Sequence, residues 1–119
     1  MKTNNVILRK SKAFALRILN LYRFLTEDKK EFVLSKQIVR SGTSIGANVK
    51  EAVVAQSKAD FYGKLHISLK EANETEYWLE LLHESGYIDD SSFKSIYSDN
   101  KELIKILTSI LKTKDKETN

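Results

Sequence analysis

Gln37-Ile38-Val39-Arg40-Ser41-Gly42-Thr43-Ser44-Ile45-Gly46-Ala47-Asn48-Val49-Lys50-Glu51 is the stretch on which the fold turns. At helical spacing Leu34, Ile38, Ile45, Val49 and Ala52 share one apolar face. Gln37, Ser44, Asn48 and Glu51 form a polar row beside it. Gly42 and Gly46 stand one turn apart and leave a bare patch where another backbone can come close. Glycine, serine, threonine and asparagine are weak helix formers, so tertiary packing must hold this helix. The stretch predicts the inner helix of an all-α bundle, and nothing in it names a reaction.

The rest of the composition agrees. The chain has 119 residues, no proline and no cysteine. That length fits one domain, 1–119. Absence of proline favours long uninterrupted helices. Absence of cysteine excludes a disulfide framework, a thiolate metal site and a cysteine nucleophile, and suits a reducing compartment. No apolar run approaches the roughly 18 residues of a membrane span. Met1-Lys2-Thr3-Asn4-Asn5 lacks the apolar core of a signal peptide. The expectation is a soluble cytoplasmic protein with no membrane partner and no cofactor.

Periodicity places four helices at about 6–28, 32–56, 58–85 and 90–113. In the first, Ile7, Phe14, Ile18, Leu21 and Leu25 make the inward stripe, while Leu16 and Phe24 point away from it. The short polar run Glu27 to Glu31 makes the second helix an antiparallel neighbour. Ser57-Lys58-Ala59-Asp60 reads as a capping pattern for the third helix. That helix carries Phe61, Leu65, Leu69, Ala72 and Leu79 on one side and Ile67, Trp78 and Leu81 nearly opposite. A helix apolar on two sides is buried on two sides, so the second stripe predicts a subunit interface. Gly86 fits a left-handed C-cap, and Asp89 or Asp90 can cap the fourth helix. The tail Lys114 to Asn119 is polar and expected to fray.

Charge divides the chain. Residues 1–56 hold eleven Lys and Arg against four acids, and residues 57–119 hold nine Lys against twelve acids. Arg9, Lys12, Arg17, Arg23, Lys36, Arg40 and Lys50 therefore offer either a phosphate-binding surface or a contact for the acidic side of a neighbouring subunit. No helix-turn-helix, zinc-finger or aromatic RNA-recognition pattern accompanies them, so any binding reads backbone and shape.

Other chemistry finds little support. Glu80-Leu81-Leu82-His83 has the spacing used in di-iron bundles, but those sites need a second such motif and two more glutamates. No metal site is expected. Gly42-Thr43-Ser44-Ile45-Gly46 is not followed by Gly-Lys-Ser, so it is no phosphate loop. Arg40, Ser41, Ser44, Asn48 and Glu51, opposite Glu71, Asn73, Glu74 and Thr75, read as a network fixing helix register, with a polar pocket as the alternative. No histidine lies near them in sequence, which argues against a hydrolase.

Gln37 to Ala52, Q-I-V-R-S-G-T-S-I-G-A-N-V-K-E-A, closely resembles the "Q-x-x-R-S-x-x-S-I-x-A-N-x-x-E" core of a bacterial family of small four-helix bundle proteins. Some members are encoded by intervening sequences inside 23S ribosomal RNA genes. Asp60 to Leu82 resembles that family's third helix, and the likeness covers nearly the whole chain. It marks Arg40, Ser41, Gly42, Ser44, Ile45, Gly46, Asn48, Glu51, Glu71 and Glu74 as motif residues. It implies an up-down-up-down bundle and a ring-shaped homopentamer. Accessory proteins of diversity-generating retroelements are similar in fold; they bind nucleic acid and partner a reverse transcriptase. No enzymatic activity carries over.

The expectation is thus a non-enzymatic, self-assembling bundle that meets structured RNA or DNA through the basic residues of helices 1 and 2. Leu16, Phe24, Ile67, Trp78 and Leu81 are expected to carry subunit contacts. The alternative is a protein-binding scaffold, for example an accessory subunit of a reverse transcriptase, without nucleic-acid contact.

Overall fold

The computed structural model describes residues 2–118, and side chains for 6–114. Among the described residues there are four α-helices and no strand: α1 (Lys2–Arg23), α2 (Leu34–Val53), α3 (Lys58–Glu84) and α4 (Asp90–Thr118). A π-helical turn, Phe24–Asp28, extends α1. Short links reverse the chain between successive helices, giving a bundle 49 × 22 × 21 Å. The helix pairs α2–α3, α1–α2 and α3–α4 pack closely, and α1–α4 is the loosest adjacent pair.

The core is the set of inward stripes. Ile7, Phe14 and Ile18 of α1 meet Ile38, Ile45 and Val49 of α2, Leu65, Ala72 and Leu79 of α3, and Leu103 and Leu107 of α4. At the two glycines α1 and α2 come close together. A Cβ added at Gly42 would fall 2.7 Å from Ile18 Cγ1, and one at Gly46 would fall 3.2 Å from the Ser11 carbonyl oxygen. The glycine pair lets one helix rest against the other, as its spacing predicts.

The helix ends follow local chemistry. Ser57 Oγ accepts the Asp60 N–H at 3.1 Å, and Asp89 Oδ1 accepts the Ser92 N–H at 2.7 Å. Gly86 adopts φ +85°, a conformation that side chains rarely tolerate, and closes α3. α2 starts two residues later than its apolar pattern suggests, because Glu31 is its cap. The buried Glu31 carboxylate accepts the N–H groups of Val33, Leu34 and Ser35 at 3.1, 2.9 and 2.7 Å. Burial pushes its pKa up, but these donors and the Ser35 hydroxyl outweigh burial and hold the group below the ordinary carboxylate range. α2 ends at Val53 rather than near residue 56, where Ala55 N–H turns back to the Ala52 carbonyl at 3.0 Å.

Two other boundaries differ from the periodicity. The first helix widens after Arg23, where Lys29 N–H reaches the Phe24 carbonyl at 3.2 Å. In that wide turn Leu25 is fully buried while Phe24 stays at the surface. The last helix, expected to stop near Thr113, continues to Thr118. The side chains of 115–119 lie outside the described residues, and with them the expectation of a fraying tail.

Glu31→Gln should cost about 1 kcal/mol at pH 7, the size of a lost helix cap. A lowered native pKa means that the ionised group stabilises the fold above its unfolded pKa. That contribution disappears as pH falls through the native value. The melting curves of variant and wild type should therefore converge below about pH 4. Gly46→Leu should destabilise the bundle by more than about 1 kcal/mol through overpacking against Ser11; a wild-type melting temperature would place that position outside the helix contact.

Candidate nucleic-acid interface

α1 carries no acid, and its solvent face repeats Arg9, Lys12, Leu16, Asn20 and Arg23 at spacings of three and four. The matching face of α2 carries exposed Lys36, Ala47 and Lys50. Between the two helices runs a groove of about 370 Å³. Leu8, Ala15, Gly46 and Ala47 line it, and Lys12 and Lys50 flank them. Small residues keep its floor low and two ammonium groups sit at its edge. Arg9, Lys12, Arg23, Lys36 and Lys50 make no ion pair with a described carboxylate. Among the described residues Arg23 donates to Asn20 Oδ1, at 3.1 Å.

Arg17 and Arg40 are placed differently. Arg17 Nη1 donates to Asp99 Oδ2 at 2.7 Å across the α1–α4 seam, where Lys10 also reaches Glu102 at 3.1 Å. Arg40 Nη2 donates to Glu74 Oε2 at 2.6 Å, with Nη1 3.8 Å from Glu71 Oε2. These part-exposed pairs are each worth at most about 1 kcal/mol. The seven basic residues thus divide into five on an open surface and two that tie α1 to α4 and α2 to α3.

The polar row of α2 faces α3. Thr75 Oγ1 and Ser41 Oγ are 2.9 Å apart and buried, and Ser68 Oγ donates to the Ile45 carbonyl at 2.8 Å. Glu51 pairs with Lys64 at 3.3 Å. Ser44 and Asn48 turn inward on their own helix, donating to the Arg40 and Ser44 carbonyls. Asn73 is exposed. Sequence reasoning missed Ser68 and also Asn100, whose buried amide donates to the Ala72 carbonyl at 3.0 Å. A lone polar residue on an apolar stripe was the signal in both cases.

Among the residues expected at a subunit contact, Leu16 is 57% exposed and Ile67 45%. Trp78 and Leu81 are half-buried. Trp78 packs partly on the core, and its Nε1–H donates to Glu74 at 3.0 Å. Tyr77, 54% exposed, meets the Trp78 ring edge-on at 5.0 Å. It was overlooked, although it lies on the same stripe as Ile67 and Leu81. Phe24 lines a different feature, a cleft of about 390 Å³ between the C-terminal half of α1 and the start of α4.

Glu80 and His83 go separate ways. His83 stacks on Phe93 at 4.1 Å and places Nε2 2.7 Å from Asp90 Oδ1. Glu80 faces the Tyr97 hydroxyl at 2.8 Å, which also lies 3.0 Å from Glu76. Burial and these two carboxylates push the Tyr97 hydroxyl well above its ordinary pKa. The Lys101 ammonium holds Glu76 below its own; burial opposes that and the Tyr97 hydrogen bond supports it. These groups tie α3 to α4. Among the described residues no three His, Asp or Glu side chains converge on a metal-sized site. No described helix is long and apolar enough to cross a membrane.

Comparison with known proteins bears on the whole bundle. The family model of the 23S rRNA-intervening sequence protein matches residues 3–109. No curated protein matches the chain. The crystal structure at 1.70 Å resolution of a protein of unknown function from the S23 ribosomal protein family of Bacteroides thetaiotaomicron VPI-5482 is similar, with a TM-score of 0.91. The two chains are 60% identical, over 92% of this one and 98% of that one.

Proposed function

Since the chain belongs to the 23S rRNA-intervening sequence protein family, we propose that it is a non-enzymatic, self-assembling cytoplasmic bundle that holds structured nucleic acid by its phosphates. The observation that carries this reading is the surface of Arg9, Lys12, Arg23, Lys36 and Lys50, five cations without a carboxylate partner among the described residues. Cations left unpaired on adjacent helices raise the local potential and suit a polyanion. Arg17 and Arg40 have ion-pair partners and contribute less.

Self-association rests on Leu16, Ile67, Tyr77, Trp78 and Leu81. A contact using different faces on each copy closes into a ring when the rotation allows, which accommodates the homopentamer. The same exposed and half-buried apolar residues favour a second reading, a scaffold for a protein partner such as a reverse transcriptase.

Fluorescence-anisotropy titration of a labelled structured RNA and of duplex DNA tests the first reading. Binding should be saturable and fall by about 0.9 log units per log unit of salt for each phosphate neutralised on duplex. It should fail in the Arg9/Lys12/Arg23/Lys36/Lys50 alanine variant and survive in Arg17→Ala. Flat curves at low salt from folded protein would leave the scaffold reading. Ile67→Asp should reduce the mass found by sedimentation equilibrium while helicity stays unchanged; a wild-type mass equal to one protomer would remove self-assembly.

A further inference from the structure

The cleft at the α1–α4 seam has no role in that reading. Its volume of about 390 Å³ falls in the range of small-molecule sites, roughly 300–1,000 Å³. It exists because α1 and α4 are the loosest adjacent pair, with the Arg17–Asp99 ion pair bridging their seam. Its apolar walls are Leu21 and Phe24 from α1 and Ile88 and Ile96 from the α4 side. Phe24 is 37% exposed and borders the cleft, with the Lys29 ammonium 5.6 Å from its ring centroid as a further cation beside it.

The polar lining is mixed. Asn20 and Asp89 both border the cleft. The Asn20 side-chain oxygen is taken by Arg23, which leaves its amide N–H groups as donors. Asp89 is exposed, and its carboxylate accepts one backbone N–H while keeping capacity for more. A ring that stacks on Phe24 and presents both an acceptor and a donor edge satisfies all three residues. Arg23, outside the lining itself, is exposed one turn beyond Asn20 on α1 and donates to it. We propose that this cleft takes an unpaired nucleobase, guanine in particular, stacked on Phe24 with its donor edge toward Asp89 and its phosphate toward Arg23. Stacking on aromatic rings is how proteins hold unpaired bases, and guanine presents adjacent N–H donors that a carboxylate can accept.

This inference rests on the nucleic-acid reading but fails separately from it. The test is methyl-detected NMR of the full chain titrated with guanosine 5′-monophosphate and, in parallel, with ribose 5-phosphate. The nucleotide should shift the Leu21, Ile88 and Ile96 methyl groups saturably, and the sugar phosphate should not. Phe24→Ala should weaken binding by about tenfold or more, and Phe24→Trp should retain it. Phe24 is part-exposed, so neither variant should unfold the bundle. Absence of methyl shifts, equal shifts with the sugar phosphate, or unchanged affinity in Phe24→Ala would each overturn the site. RNA binding without nucleotide shifts would remove the cleft and leave the phosphate surface. Nucleotide shifts without RNA binding would do the reverse.

Discussion

The bundle depends on how closely α1 and α2 approach. At Gly42 an added methyl group would collide with Ile18 of the other helix at 2.7 Å, and at Gly46 it would crowd the Ser11 carbonyl at 3.2 Å. That contact sets the depth of the groove between Lys12 and Lys50. It also fixes the rotation of α2, and so the direction of its polar row toward α3. The buried Ser41–Thr75 contact and the Ser68–Ile45 bond then hold α3 in register. A buried hydroxyl without its partner would cost about 1–3 kcal/mol, so a shifted register is penalised several times over.

Ion pairs do a different job. Arg17–Asp99 and Lys10–Glu102 span the α1–α4 seam, and Arg40 spans α2–α3. All are partly solvated, and none replaces apolar packing as the source of stability. Their effect is to sort the cations. Those near an acidic neighbour are neutralised within the bundle, and those on the outer face of α1 and α2 are left for something else. The division follows from where the acids lie, since α1 has none and the partners of Lys10, Arg17 and Arg40 sit on α3 and α4.

Much of this was legible from the residues. The inward stripes, the glycine contact, the Ser57 cap and the Gly86 turn all depend on local spacing, which a linear chain displays directly. Glu31 was hidden because its capping bonds arise from a buried turn that polar composition alone does not reveal. The π-helical turn was hidden because periodicity assumes a constant pitch, and a single widened turn breaks the phase without changing composition. Among the site residues, the sequence grouped seven cations by sign. It could not separate Arg17 and Arg40 from the rest, because their partners lie 82 and 34 positions away. Pocket-lining was equally invisible: Phe24 was seen as an outlier from a stripe, and its opposite wall begins at Ile88.

The placement of charge has a consequence for motion in solution. The wholly basic α1 and the acidic α3, with six acids against three lysines, lie on different sides of the bundle, so charge is separated across its 22 Å width and not along its 49 Å length. An approaching polyanion would therefore exert a torque about the long axis, turning the cationic wall inward before any atom touches. The molecule would roll into register like a keyed shaft.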